Sequence, residues 1–394
     1  YADAIRKDLQ WLGIEWSREI KQSDRFALYD AVVEALKAAG RLYPCYETPD
    51  ELDLKRKMQL AQRKPPVYDR AALALTDTET QAFEAEGRRP HWRFKLIETE
   101  RVEWVDLVRG DISIDMASLS DPIVVREDGS YLYMLPSVVD DIDCAITHVV
   151  RGEDHVANSA VQVQMFEALG GSAPTFAHAA LITAEGGEGL SKRLGSAGMA
   201  YYRDAGFEPL ALVALLARLG TADPIEAVAS QAPLVETFDF ARFGRAAAKF
   251  SETELKAINA RIVHDLPFHD VKDRLPAAVD ETFWLAVRGN LEMVGDVKDW
   301  LAMVEGPVSV DTPPEDIEYL AAAHDALPDA PLTLESWGVW TNALKTSTGR
   351  KGRGLFMPLR LALTGMSHGP EMATLLPLIG HERAKARLKA ASAG

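Results

Sequence analysis

Apolar residues recur at helical spacing through the first forty positions. Ile5, Leu9 and Leu12 fall on one stripe, and Phe26, Tyr29, Val32, Val33 and Leu36 on another. Two amphipathic helices are predicted there, stopped by Gly13 and Gly40. Arg41 to Tyr46 reads as a short buried strand, followed by a charged helix from Pro49 to Arg63 that Pro65-Pro66 ends. Between about 66 and 130 the period drops to two. His91 to Leu96 and Val102 to Leu107 alternate, and Pro122 to Val125 is a further strand candidate, so the block reads as a small inserted α+β unit. After the turn Glu127 to Ser130, Tyr133 reads as a strand aromatic and Ile142 to Val150 as a buried parallel strand. A helix is predicted from Asn158 to Leu169, ended by Gly170-Gly171. This βαβ rhythm implies a nucleotide-type α/β fold. Helical spacing dominates from Met199 onward, as in Leu210, Val213, Leu216 and Leu219. Pro307, Pro313-Pro314 and Pro328 to Pro331 divide the last 130 or so residues into helical pairs.

With 394 residues, two to four domains are expected on size alone. The composition, 47% apolar and 26% charged, is that of a soluble globular protein, and no apolar run approaches a membrane span. The first residues do not read as a signal peptide and do not begin with methionine. Cys45 and Cys144 stand far apart with no clustered Cys or His, which excludes a disulfide framework and a zinc-ribbon spacing and points to a reducing cytoplasm. A net charge of −16 argues against a non-specific nucleic-acid binder. Yet from Ser336 to Pro370 there is no Asp or Glu, while Lys345, Arg350, Lys351, Arg353 and Arg360 all lie in that window. That is a local positive patch, either phosphate-binding or a solvated basic helix face.

Chemistry concentrates in two motifs. Thr147 to Val150 leads into Arg151-Gly152-Glu153-Asp154-His155, a strand end, a glycine turn and a charged cluster opening a helix. In doubly wound sheets ligands bind beyond the carboxyl ends of strands. Arg151 can grip a carboxylate with a bidentate fork, and Asp154 can accept hydrogen bonds from a ribose; an Arg–Asp network without a ligand stays open. Gly189-Leu190-Ser191-Lys192-Arg193 lies in a glycine-rich loop after the apolar run Ala179 to Thr183. A Lys-Arg pair in such a loop can close over a triphosphate and neutralise developing charge. Asp140, Asp141 and Asp143 invite a metal reading, three acids in four positions.

The order of these features resembles class I aminoacyl-tRNA synthetases, most closely glutamyl-tRNA synthetases. Ala177-His178, the Ser-Lys-Arg loop, Tyr201 to Pro209 and the helix ending Arg218-Leu219-Gly220 follow one another as in that family. Thr348 to Arg360, with Leu363-Thr364-Gly365 and Leu378-Ile379-Gly380, resembles its anticodon-binding region and coincides with the acid-free window. The resemblance implies that Tyr133 and Arg151 contact glutamate, and that Asp154 and His155 border the ribose and adenine of ATP. It also implies that Leu190, Ser191 and Lys192 meet ATP, with Lys192 and Arg193 catalytic. The usual first loop lysine is Gly189 here, which leaves Lys192 as the main phosphate contact. In the family the Asp140 to Asp143 stretch starts a strand, and magnesium is held largely by ATP. Some members carry a cysteine-rich zinc site in the acceptor-binding insertion. After Cys45 this chain offers no second cysteine there, so no zinc is expected.

The expected architecture is a Rossmann-like α/β catalytic domain, incomplete at its N-terminus, with an inserted α+β acceptor-binding unit and an all-α anticodon-binding region. The division is 1–65 for the partial first half of the catalytic domain, 66–130 for the insertion and 131–185 for the second half. Residues 186–267 would hold the Ser-Lys-Arg loop and stem-contact helices, and 268–394 the anticodon-binding helices. The expected reaction is ATP-dependent ligation of L-glutamate to its tRNA through a glutamyl-adenylate, by a cytoplasmic monomer with Mg2+ carried on ATP. A dual-specificity enzyme that also charges glutamine tRNA stays open, as does a non-catalytic RNA-binding relative. None of the nine histidines has the family's His-x-Gly-His spacing. About forty to fifty residues, one βαβ unit, therefore read as missing from the front, and the polypeptide is expected to be nearly inactive.

Overall fold

The computed structural model describes residues 1–184, 186 and 198–393. Helices α1 (Ala2–Trp11) and α2 (Phe26–Ala38) form where the sequence places them. Strand β1 (Leu42–Cys45) leads to α3 (Pro49–Ala61), which opens with a Thr48–Glu51 capping box. A second capping box, Thr76–Glu79, opens α4 (Asp77–Ala85). Strands β2 (His91–Phe94), β3 (Arg101–Asp106), β4 (Gly110–Asp115) and β5 (Ile123–Val125) complete the insertion. β1, β2 and β5 make one antiparallel sheet in the order β1-β2-β5, so the sheet runs across position 65/66. β3 and β4 form a hairpin that closes at Asp106 opposite Gly110, whose positive φ of 75° suits glycine at the tight turn.

Helix α5 (Met134–Asp143) replaces the predicted strand start. Met134, Leu135, Val138 and Val139 are buried at helical spacing, and the helix runs on through Ile142 and Asp143, where the strand was expected to begin. The strand is confined to β6 (His148–Gly152) and, among the described residues, pairs only with β7 (Thr175–Ala179). Val150 is consequently 57% exposed rather than buried. Helix α6 (Val156–Ala168) connects the two strands in parallel, with Arg151 opposite His178. A second parallel pair joins β8 (Ile182–Ala184) to β9 (Ala248–Phe250).

Then come α7 (Gly198–Asp204), α8 (Pro209–Arg218), α9 (Ala232–Glu236) and α10 (Glu252–Asp265). The remainder is helical: α11 (Phe268–Val271), α12 (Glu281–Val287), α13 (Val297–Glu305), α14 (Pro314–Asp325), α15 (Ser336–Thr348), α16 (Arg353–Thr364), α17 (Met372–Ile379) and α18 (His381–Ala391). Three large cores result. One packs α2, α5 and α6 against the insertion sheet, one surrounds α8, and one fills the C-terminal helices around Trp284 and Trp340. α10 belongs to two of them: Leu255, Ile258 and Ile262 face the α8 core, and Val263 faces the C-terminal core. The buried Asn259 ties the same joint, accepting from the Glu208 amide at 2.7 Å and donating to the Glu292 carbonyl at 2.6 Å.

Candidate active site and basic helical surface

Arg151 ends β6 and is half-buried, and burial pulls its pKa below the usual guanidinium value. Its Nη2 donates to Ser159 Oγ at 2.5 Å and to Gln162 Oε1 at 2.6 Å, both on α6, and its Nε reaches His178 Nε2 at 3.5 Å. Among the described residues no carboxylate closes an ion pair with it; Asp141 and Asp154 act on it only through space. A guanidinium taken partly out of water, with its outward side unpaired, attracts an anionic ligand.

Tyr133, 47% exposed, sits at the N-terminus of α5 and not in a strand. Its hydroxyl accepts from Asn158 Nδ2 at 2.6 Å, and its ring meets His155 edge-on at 6.1 Å between centroids. Burial first, and then the charge of Asp154, raise its pKa. Asp154 is exposed beside this group, and the Gly152 turn brings it close: a Cβ at Gly152 would stand 2.5 Å from Asp154 Oδ1. Tyr133, Arg151, Asp154 and His155 are thus brought together around the carboxyl end of β6. Leu190, Ser191, Lys192 and Arg193 lie outside the described residues.

Two of the three acids of the metal reading are spent otherwise. Asp140 accepts from Tyr29, Gln22 and Arg25, and Asp143 pairs with Arg25 at 2.7 Å; both lie at the end of α5. In the insertion, Cys45, Glu47 and His91 offer donor atoms within 4.8 Å of one another. The spacing of cysteines alone could not show this, because His91 arrives from another strand. Glu47 Oε2 and His91 Nε2 are buried without hydrogen-bond partners among the described residues. Burial pushes the Cys45 thiol up to about 12 and the His91 imidazole down to about 4, and the neighbouring Arg93 cation also disfavours charge on His91. Tyr68 bridges the group, donating to Glu47 at 2.7 Å with its hydroxyl 3.8 Å from Cys45 Sγ.

The acid-free window divides once folded. Lys345, Lys351 and Arg353 are exposed. Arg350 is instead held by Asp316 and the Glu315 carbonyl of α14, and stacks on Tyr319 at 4.3 Å. Its acidic partner lies outside the window, so the window counted one free cation too many. Arg360 lines a cavity of about 350 Å³ with Trp337, Phe356 and Met372. It donates to the Pro370 carbonyl at 2.7 Å, while its buried Nη1 has no partner among the described residues.

Sequence reasoning missed Asn158, Ser159, Gln162 and Asp106 altogether, and it used His178 only as a marker of order. The i, i+3 spacing of Ser159 and Gln162 behind the Arg151 turn was the one available signal.

Residues 1–257 match the family described as tRNA synthetases class I (E and Q), catalytic domain, and residues 282–392 match the anticodon binding domain family. The chain is 55% identical over 393 residues to glutamate–tRNA ligase 1 of Maricaulis maris, covering 98% of this chain and 87% of that protein. It is 57% identical over 391 residues to glutamate–tRNA ligase 1 of Rhizorhabdus wittichii, covering 99% and 88%. The structure of a glutamate tRNA ligase from Elizabethkingia meningosepticum in complex with its amino acid superposes with a TM-score of 0.83 at 25% identity, over 100% of this chain and 89% of that one.

Proposed function

Because the chain belongs to the glutamate–tRNA ligase family of class I tRNA synthetases, we propose that its reaction is the ATP-dependent joining of L-glutamate to its tRNA. The observation that carries this reading is Arg151, fixed on two sides by Ser159, Gln162 and His178 and left without an acidic partner among the described residues. A carboxylate of glutamate takes the open side of the guanidinium, with Tyr133 and Asn158 beside it. Asp154 and His155 border the ribose and adenine of ATP. Lys192, with Ser191 and Arg193, neutralises charge on the phosphates as the carboxylate attacks the α-phosphorus and pyrophosphate leaves; Leu190 completes that loop. No side chain forms a covalent bond with substrate. The glutamyl group then passes from adenylate to the terminal adenosine of the tRNA. Mg2+ enters with ATP.

Lys345, Lys351 and Arg353 contact tRNA phosphate, and the Arg360 cavity receives a nucleobase against Trp337 and Phe356. The protein works as a cytoplasmic monomer. With its thiol kept protonated by burial, against the pull of the Arg93 cation, the Cys45 cluster is a hydrogen-bonded joint rather than a zinc site; zinc analysis of the purified protein showing one equivalent overturns that. Lys192→Ala should slow adenylate formation while leaving tRNA affinity in place, and unchanged activation kinetics would refute the phosphate assignment.

The central assignment is tested by calorimetric binding of L-glutamate and of a non-hydrolysable glutamyl-adenylate analogue. Loss of a charge-assisted contact is worth about 1.5–3 kcal/mol, so Arg151→Ala should weaken both ligands roughly 10- to 150-fold. Equal binding by the variant removes Arg151 from the site.

A further inference from the structure

We infer that Asp106 and His178 are positioning residues for Arg151, forming a buried relay that runs from the insertion hairpin into the amino-acid site. The inference deepens the functional reading above and rests on it.

His178 is fully buried in β7, between Phe176 and Trp104, whose ring centroids lie 5.9 and 6.3 Å from its own. Its Nδ1 stands 2.5 Å from Asp106 Oδ2, and both side chains have no solvent exposure. The other oxygen of Asp106 accepts the amides of Val108, Arg109 and His178 at 3.0, 2.9 and 3.1 Å. A carboxylate so placed is an acceptor only, which puts the imidazole proton on Nδ1 and leaves Nε2 bare. Ser159 Oγ, 2.8 Å from Nε2, donates to it, and this frees the serine lone pairs to take Arg151 Nη2 at 2.5 Å. Arg151 Nε faces the same bare nitrogen. Every hydrogen bond therefore points the same way: Arg151 to Ser159, Ser159 to His178, His178 to Asp106.

The Nε2–H tautomer would set a second donor against Arg151 Nε–H and leave a bare Nδ1 against the Asp106 carboxylate, while the serine proton would turn to the His155 carbonyl at 3.3 Å. The burial that lowers the His178 pKa keeps the ring neutral, in keeping with this order. Asp106 closes the β3–β4 hairpin, and the next residue, Leu107, donates to the Phe176 carbonyl at 3.0 Å. The acceptor-binding insertion and the guanidinium are thereby joined through one imidazole.

The test uses the full chain labelled with 15N-histidine, together with Asp106→Asn. Without any ligand, the unsubstituted protein should show His178 as the Nδ1–H tautomer; an Nε2–H signal overturns the relay outright and needs no variant. In Asp106→Asn the tautomer should shift, and glutamate affinity should fall roughly tenfold while ATP affinity stays put, a split that general loosening of the fold would not give. A shifted tautomer with unchanged glutamate affinity overturns the positioning role. If the unsubstituted protein shows the Nδ1–H form but binds no glutamate, the functional reading fails, and the substrate half of this inference with it, while the relay itself stands on the histidine signal.

Discussion

Arg350 and Lys351 are neighbours with the same charge and opposite duties. Arg350 is spent on Asp316, the Glu315 carbonyl and the Tyr319 ring, whereas Lys351 and Arg353 project into solvent. Arg350→Ala should therefore lower stability by about 1–2 kcal/mol in thermal denaturation, the pair being partly exposed, and leave the salt dependence of tRNA binding alone. The double change of Lys351 and Arg353 to alanine should do the reverse, cutting the slope of log affinity against log salt by roughly 1.4 to 1.8. An unaltered slope would mean the two cations are only solvated. His91 gives a pH effect of defined sign. Its folded pKa, about 4, lies below the unfolded value, so the unfolded chain takes up the proton first. The associated stability is complete above about pH 6.5 and is lost as pH falls toward 4, on the order of 3 kcal/mol. His91→Gln should flatten that part of the stability–pH profile. Arg151 and Asp154 were legible because their motif is local. Asp106, Asp316 and His91 were not, because each meets its partners only after distant segments pack.

At the level of elements, the three insertion strands read from the sequence formed, whereas β4 and α4 were not read, and the strand expected over Ile142 to Val150 is a helix end followed by the shorter β6. The apolar residues from Ile142 onward suit a buried strand until the i, i+4 burial of Leu135 and Val139 shows the preceding helix running into them, and period alone does not separate the two. The result matters for the site, since it places Tyr133 at a helix start facing Asn158 of α6. The turn after β6 is as demanding. A methyl at Gly152 would meet Asp154 Oδ1 at 2.5 Å and Leu181 at 3.1 Å, and the carboxylate is the group able to move. Gly152→Ala should then weaken ATP binding about tenfold in calorimetry while leaving the fold's melting temperature nearly unchanged. Unchanged ATP affinity would detach Asp154 from the ribose. The Ser-Lys-Arg stretch, read from its glycines and its Lys-Arg pair as well as from the resemblance, lies outside the described residues.

Across the whole molecule, the α8 core and the C-terminal core are linked by α10 and by Asn259, whose side chain serves the Glu208 amide and the Glu292 carbonyl at once. Asn259→Leu would strand both backbone groups and should cost about 2–4 kcal/mol. If the link is as tight as its burial suggests, heating the unsubstituted protein should melt the α8 core and the C-terminal helices together, and the variant should separate them into two calorimetric transitions. A single transition in both would show that other contacts couple the cores. No helix among the described residues is long and apolar enough to cross a membrane. The order of the domains could be read in the sequence, but the helix they share could not, since its two faces serve different cores.

The first family match stops at residue 257, inside α10, and the second begins at 282. The segment inherited as a module and the segment that folds as one are thus out of step by half a helix. A graft spliced at 257 would put a relative's residues at positions 258 and 262, against the native α8 core, and so create a mismatched seam, whereas a graft spliced after the helix would keep Ile258 and Ile262 on their own core and meet foreign helices only at Val263.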